Sequence, residues 1–131
     1  MKFEWNPPAS EAAIRQAEAD YGGPLPEEFV ELLRKANGGS TDGNLSILDV
    51  EDCVQRNFDY EVPEYLPGYF MIGDDGGGTA ILINARDRRI YEVDMGVMDE
   101  RFVVLSANSL GELLALGTAL IERDHLRRED M

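Results

Sequence analysis

The stretch IGDDGGGTA, residues 72–80, places two aspartates and three consecutive glycines between the apolar runs YFMI and AILI. Apolar runs of this length, bounded by turn residues, are typical of buried β-strands. Glycine adopts positive φ at no steric cost, so a tight or bulged link between the two strands is expected. In this interpretation Gly76, Gly77 and Gly78 form a structural loop. A glycine-rich loop beside a strand is also typical of a phosphate site, so the two interpretations need to be separated.

The sequence lacks two features that a phosphate-binding loop of the Walker type requires. A Walker-type loop needs a lysine that reaches the phosphates and a helix after the loop, but GDDGGGTA has no lysine and precedes a strand-like run. Asp74 and Asp75 would repel an anion, and two adjacent aspartates offer too few ligands for a calcium loop. We therefore expect neither a metal nor a cofactor here, and the two aspartates face either a basic partner or water.

Helical patterns precede most of the strands. Amphipathic spacing predicts helices over residues 10–20 and 26–36, and a weaker one over 50–58. The last helix is predicted from Leu110 to about residue 121, since Ser109 and Glu112 have capping-box spacing. Each of the first three helices starts at a residue suited to that position: Ser10, Pro26 and Asp49.

After the short strand at 45–48, the predicted strands are grouped in the chain and are not separated by helices. This order argues against a doubly wound parallel sheet and favours an α+β fold, in which an antiparallel sheet is flanked by N-terminal helices and a C-terminal helix. Residues 1–131 are expected to form a single domain with less ordered ends at 1–9 and 122–131. The strands are predicted at 45–48, 69–72, 79–84, 90–94 and 102–105.

The charge is large and unevenly distributed. Twenty-six acidic residues against twelve basic ones give a net charge of −14, which repels nucleic acid and anionic membranes and favours a basic partner. The alternative is that the acidity only keeps the protein soluble. Arg56 is the one basic residue between residues 36 and 85. The acidic residues of that segment are Asp42, Asp49, Glu51, Asp52, Asp59, Glu61, Glu64, Asp74 and Asp75.

Nothing in the residue pattern indicates an enzyme. His125 is the only histidine and lies in a charged tail, which argues against a catalytic triad or a histidine-based metal site. Among 26 acidic residues a carboxylate pair is no signal, so no catalytic residue is predicted. Cys53 is the only cysteine, which fits a reducing, cytoplasmic location. No apolar run approaches the roughly 20 residues of a membrane span.

Three segments, taken in order, resemble the SUKH superfamily, the domain of fungal cell-wall-assembly regulators and many bacterial immunity proteins. They are LPEEFVELLRKANGG, then YFMIGDDGGGTAILIN, then IYEVD followed by SANSLGELL. Together they span about residues 10–121. Leu110 stands where the family often has phenylalanine, which keeps an apolar anchor at that position.

The resemblance implies an α+β domain without catalysis. For a bacterial member it implies an immunity protein that binds and neutralises a cognate toxin of a polymorphic or contact-dependent secretion system, and a short single-domain chain resembles this type. The alternative is a regulatory scaffold that binds an endogenous partner, as in the eukaryotic relatives. An enzyme or small-ligand binder is the third hypothesis.

The acidic segment provides the candidate surface for a toxin. Many such toxins act on nucleic acid and need basic clefts, which an acidic surface would occupy with a gain in association rate. Tyr60 and Tyr65 are of the type enriched at binding hot spots, although packing within the fold explains them equally well. The candidate partner-binding residues are Asp59, Tyr60, Glu61, Glu64, Tyr65, Asp74 and Asp75.

Overall fold

The computed structural model describes residues 3–120, which contain one antiparallel sheet of seven strands. The strands follow one another across the sheet in chain order, so every strand pairs with its sequence neighbour. They are β1 (Phe3–Trp5), β2 (Gly39–Thr41), β3 (Ser46–Ile47), β4 (Tyr69–Asp74), β5 (Thr79–Asn84), β6 (Ile90–Asp94) and β7 (Val104–Ala107).

Helices interrupt and follow the strands of the sheet, since β1 comes before the first helix. The helices are α1 (Glu11–Tyr21), α2 (Glu27–Lys35), α3 (Cys53–Asp59), α4 (Val62–Tyr65) and α5 (Leu110–Leu116), with a 3-10 turn at Glu100–Phe102. α1 packs on α2 and α3, α3 and α4 pack on β4, and α5 packs on β7. The predicted α+β fold with an antiparallel sheet is therefore confirmed.

The first two helices begin close to where the sequence predicts. The Ser10 hydroxyl accepts a hydrogen bond from the Ala13 amide at 3.1 Å, which confirms its capping role. Pro26 differs slightly from the prediction. With a ψ of 134° it precedes α2 as the cap residue and does not occupy the first helical position.

Two later helices have boundaries that differ from the prediction. α3 begins at Cys53 because residues 50–52 form turns, and the Asp49 carboxylate accepts from the Asp52 amide at 2.8 Å within them. α5 ends at Leu116 because Gly117 adopts a left-handed φ of 69° and closes the last turn. The predicted continuation of this helix is therefore wrong at residues 117–119, and residue 121 lies outside the described residues.

The strand prediction misses one end of the sheet, which β1 and β2 form. At the other end the strand predicted at 102–105 corresponds to β7, which begins two residues later because the preceding residues form the 3-10 turn. Three-residue strands such as β1 and β2 offer too short a pattern to separate from loops. The expectation of a less ordered end at 122–131 lies outside the described residues.

The centre of the sheet is β4 and β5, whose side chains are buried on both faces. This explains why YFMI and AILI are unbroken apolar runs without alternation, although the sheet is antiparallel. Phe29 and Leu33 of α2 are fully buried members of the same core. Phe29 meets the ring of Phe70 on β4 with a centroid distance of 5.7 Å.

The IGDDGGG stretch begins with an irregularity in β4. The register with β5 shifts between Met71 and Gly73, which is a β-bulge. A Cβ atom on Gly73 would collide with the Ser46 carbonyl oxygen of β3. Gly73 therefore lets β3 approach closely enough to pair with β4.

Asn57 of α3 replaces a neighbouring strand along part of β4. Its side-chain oxygen accepts from the Met71 amide at 2.7 Å, and its side-chain nitrogen donates to the Met71 carbonyl at 3.0 Å. The side chain is fully buried, so these bonds satisfy backbone groups that water does not reach. This contact fixes α3 against the sheet and so positions the surface described next.

Candidate partner-binding surface

The turn between β4 and β5 is built by the two aspartates themselves. Asp74 Oδ1 accepts from the Gly76 amide at 2.8 Å, and Asp75 Oδ1 accepts from the Gly77 amide at 2.9 Å and the Thr79 amide at 3.2 Å. Gly76 has a φ of 80°, whereas the other two glycines of the run do not have positive φ. The geometry is that of a structural turn in which carboxylates and one left-handed glycine cooperate.

Asp74 is largely turned into the protein. It is 8% exposed, and its other carboxylate oxygen lies 3.5 Å from the Arg56 guanidinium of α3. Asp75 is half-buried and holds the turn through its own hydrogen bonds. Both aspartates therefore have internal partners.

Four of the seven candidate residues line one cleft at the junction of α3 and α4. They are Asp59, Tyr60, Glu61 and Tyr65. The opposite wall is the loop after β6, with Met95, Gly96 and Met98. The cleft has a volume of about 400 Å³. We refer to the surface formed by these four candidate residues and the three residues of the opposite wall as the α3–α4 cleft.

The cleft combines exposed acids with amphipathic rings. Asp59, Glu61 and Glu64 are exposed, Tyr65 is 54% exposed, and Tyr60 is partly packed against the core. The carboxylates of Glu61 and Glu64 raise the pKa of Tyr65. Glu64 directly precedes Tyr65 on α4 and does not itself line the cleft. The junction therefore concentrates negative charge around a solvent-facing aromatic ring.

Glu61 has a backbone conformation that is rare for its residue type. Its φ of 56° lies in the left-handed region, where a residue with a Cβ atom is strained. The conformation turns the chain sharply between α3 and α4, and the amides of Glu64 and Tyr65 donate to the Glu61 carbonyl. The turn thus holds the side chains of the cleft close together.

A second acidic surface lies at the other end of α3. A groove of about 570 Å³ runs beside β1 and β3 and includes Glu4, Trp5, Asp49 and Asp52. Burial is the main reason that the pKa of Asp49 is raised, and the nearby carboxylates of Asp52 and Glu51 add to the shift. We refer to this surface as the β1–β3 groove.

α3 connects the two surfaces. Its exposed side chains include Gln55 and Asp59, and Gln55 donates to the Asp59 carboxylate at 2.7 Å. A seven-residue helix is about 10 Å long, so the acids at its two ends are close in space. Six of the nine acids of the acidic segment thus lie at or beside the two ends of one short helix: Asp49, Glu51, Asp52, Asp59, Glu61 and Glu64.

Sequence reasoning missed the opposite wall of the cleft and the contribution of β1 to the groove. Met95 reaches the cleft because Thr79 pairs with Asp94, and the Met95 amide donates to the Gly78 carbonyl at 2.8 Å. The glycine turn is thereby joined to the loop that forms the far wall. No local sequence pattern predicts this contact, since it depends on strand register.

The chemistry of the cleft consists of exposed carboxylates and a solvent-facing aromatic ring. Within residues 3–120 no group of three or more acids, histidines and cysteines is arranged to hold a metal. Burial raises the pKa of the Cys53 thiol to about 12, so it does not supply a thiolate nucleophile at neutral pH. His125 lies outside the described residues. No helix in the described part is both long and apolar enough to cross a membrane.

Comparison with known families identifies the domain. The model of the SMI1 / KNR4 family (SUKH-1) matches residues 8–116, which is most of the chain. The chain belongs to this family, and the resemblance seen in its sequence is confirmed. Among curated proteins no significant match was found.

Proposed function

We propose that the protein is an immunity protein that binds a cognate bacterial toxin through the α3–α4 cleft and neutralises it without catalysis. The observation that carries this proposal is the position of Asp59 and Glu61 beside the exposed ring of Tyr65. Family membership supports it, since SUKH domains include many immunity proteins.

The charge of the cleft favours a basic partner. Carboxylates that protrude from a protein with a net charge of −14 attract a positively charged surface over several ångströms and raise the association rate. A toxin that acts on nucleic acid presents such a surface at its active site. The immunity protein would then inhibit by covering the cleft that the nucleic acid needs.

The aromatic residues would supply the short-range part of the binding energy. Tyrosine buries a large area at a low cost in conformational entropy, which is why it is enriched at hot spots. Tyr65 is positioned for this role because more than half of its side chain is exposed on a four-residue helix. In this proposal Asp74 and Asp75 maintain the adjacent turn, and Asp59, Glu61 and Glu64 carry the charge that the toxin meets.

The test is to co-express the chain with the product of a neighbouring toxin gene and to measure the mass of the purified complex. We expect a stable complex that loses toxin activity and dissociates faster when Tyr65 is replaced by alanine. Ala12→Ser on the exposed side of α1 is the control. A stable complex with a host protein, and none with the toxin, would favour the regulatory scaffold.

A further inference from the structure

A third cavity lies at the C-terminal end of α1. It is enclosed by the α1–α2 connection, the start of β4 and the end of β5. Its volume is about 310 Å³, at the lower limit for small-ligand pockets and sufficient for one large side chain. Leu25, Phe70 and Ile83 line it, and each is less than 5% exposed. We refer to it as the Leu25 pocket.

Acidic groups dominate the rim of the Leu25 pocket. Glu27 and Glu28 lie in the first turn of α2 and share the single guanidinium of Arg88. The ion-pair distances are 3.8 Å to Glu27 and 3.4 Å to Glu28, longer than a strong charge-assisted hydrogen bond. The rim therefore has an excess of negative charge that is only loosely paired.

The Leu25 pocket is joined to the α3–α4 cleft by aromatic rings. Tyr21 lines the pocket and stacks on Phe58 with a centroid distance of 5.9 Å. Phe58 is 43% exposed and directly precedes Asp59 of the cleft. One partner that covers the end of α3 would therefore also reach the pocket.

We propose that the Leu25 pocket receives one large apolar side chain of the toxin, next to a basic residue that meets Glu27 and Glu28. This inference rests on the proposed function. It divides the interface into two parts: the α3–α4 cleft attracts the toxin, and the pocket retains it. A buried apolar anchor with a charged rim is the usual arrangement of a binding hot spot, and such an anchor governs mainly the dissociation rate.

The proposal can be tested with blocked dipeptides, without knowledge of the toxin. The probes are N-acetyl-Phe-Arg-amide, N-acetyl-Phe-Glu-amide and N-acetyl-Gly-Arg-amide, titrated into the full chain while methyl NMR signals are followed. We expect the Phe-Arg probe to shift Leu25 and Ile83. The Phe-Glu probe should bind about threefold more weakly, as expected for the loss of one exposed ion pair. The Gly-Arg probe should leave these two signals unchanged.

Two variants locate the binding. Ala85 is exposed and lines the pocket, so Ala85→Trp should fill its mouth and abolish the shifts at Leu25 and Ile83. Ala12 is exposed on α1 and does not line the pocket, so Ala12→Trp is the matched control and should leave them intact. A combined Glu27→Gln and Glu28→Gln variant should bind the Phe-Arg and Phe-Glu probes equally.

The proposal would be overturned if the Phe-Arg probe left the Leu25 and Ile83 signals unmoved in the unmutated protein, or if it bound no better than the Phe-Glu probe. Such a result leaves toxin binding at the α3–α4 cleft intact, because complex formation with the toxin tests that separately. If the toxin complex forms, Ala85→Trp should raise its dissociation rate about tenfold, the loss expected for one anchor residue. An unchanged dissociation rate in a folded Ala85→Trp variant would also overturn the proposal.

Discussion

The Arg56 guanidinium lies 3.5 Å from the Asp74 carboxylate and ties α3 to the end of β4. The next residue, Asn57, binds both backbone groups of Met71 in the same strand. Two successive residues of α3 thus hold the helix against β4. Because α3 carries Asp59 at its end, this attachment sets the geometry of the α3–α4 cleft.

Asn57 should be among the most sensitive positions for stability. Replacing Asn57 by alanine leaves the buried N–H and C=O groups of Met71 without partners, so we expect the free energy of unfolding to fall by about 2 kcal/mol or more. The measurement is urea denaturation followed by circular dichroism. Gln55→Ala on the exposed side of the same helix is the control and should change the stability by less than about 0.5 kcal/mol. Equal effects of the two substitutions would contradict this role for Asn57.

The three glycines of the β4–β5 turn should differ in their response to alanine. Gly76→Ala should destabilise the protein by about 1 kcal/mol or more, because Gly76 has a φ of 80°. Gly78→Ala should be close to neutral, since φ at Gly78 is not positive and a Cβ atom there would meet no atom within 4 Å. Thermal unfolding of both variants provides the comparison, and identical melting temperatures would show that the turn does not need a left-handed residue.

Cys53 should make stability depend on alkaline pH. Burial raises the pKa of its thiol from 9.0 to about 12, so the unfolded chain releases this proton at a lower pH than the folded one. The protonated Cys53 thiol therefore makes its full contribution to the free energy of unfolding below about pH 9. This contribution is lost as the pH rises towards 12, by up to about 1.4 kcal/mol per pH unit.

The contribution of Cys53 can be isolated by comparison with Cys53→Ala, which retains the other titrating groups. The difference in unfolding free energy between the two proteins should change steadily above about pH 9 in the direction that disfavours the cysteine form. A difference that stays constant over this range would mean that the thiol ionises as easily in the folded protein as in the unfolded chain.

Charge at the α3–α4 cleft should control the rate of association. A triple variant with Asp59→Asn, Glu61→Gln and Glu64→Gln should bind the toxin about tenfold more slowly at low salt and show a weaker salt dependence. Stopped-flow fluorescence at several ionic strengths gives both quantities. The control variant removes three exposed acids elsewhere: Asp20→Asn, Glu31→Gln and Glu100→Gln. Since both variants change the net charge equally, equal rates would show that the position of the charge is irrelevant.

The sequence predicts the centre of the fold better than its margins. The runs around IGDDGGGTA correspond to β4 and β5, because strands buried on both faces have a strong apolar signal. β1 and β2 are three residues each, and they pair with each other across the two helices between them, so no local pattern identifies them. The end of α5 was missed because the apolar pattern continues through Gly117, whereas the backbone does not.

The candidate surface was predictable only in part. Asp59, Glu61 and Tyr65 lie within the short stretch 59–65, so their placement around one cleft follows from a local turn. The internal roles of Asp74 and Asp75 were not evident, since a sequence does not distinguish a carboxylate that bonds to its own turn from one that faces a partner. Met95 and Met98 came to the cleft through strand register, which is set by the whole sheet.

The most direct test of the account is growth protection in cells that produce the toxin. The unmutated chain and the Asp20, Glu31 and Glu100 control variant should restore growth. The Asp59, Glu61 and Glu64 variant, produced at the same level and equally stable, should protect far less. Full protection by this cleft variant, or no protection and no complex with the unmutated chain, would contradict the claim that the α3–α4 cleft binds and neutralises a toxin.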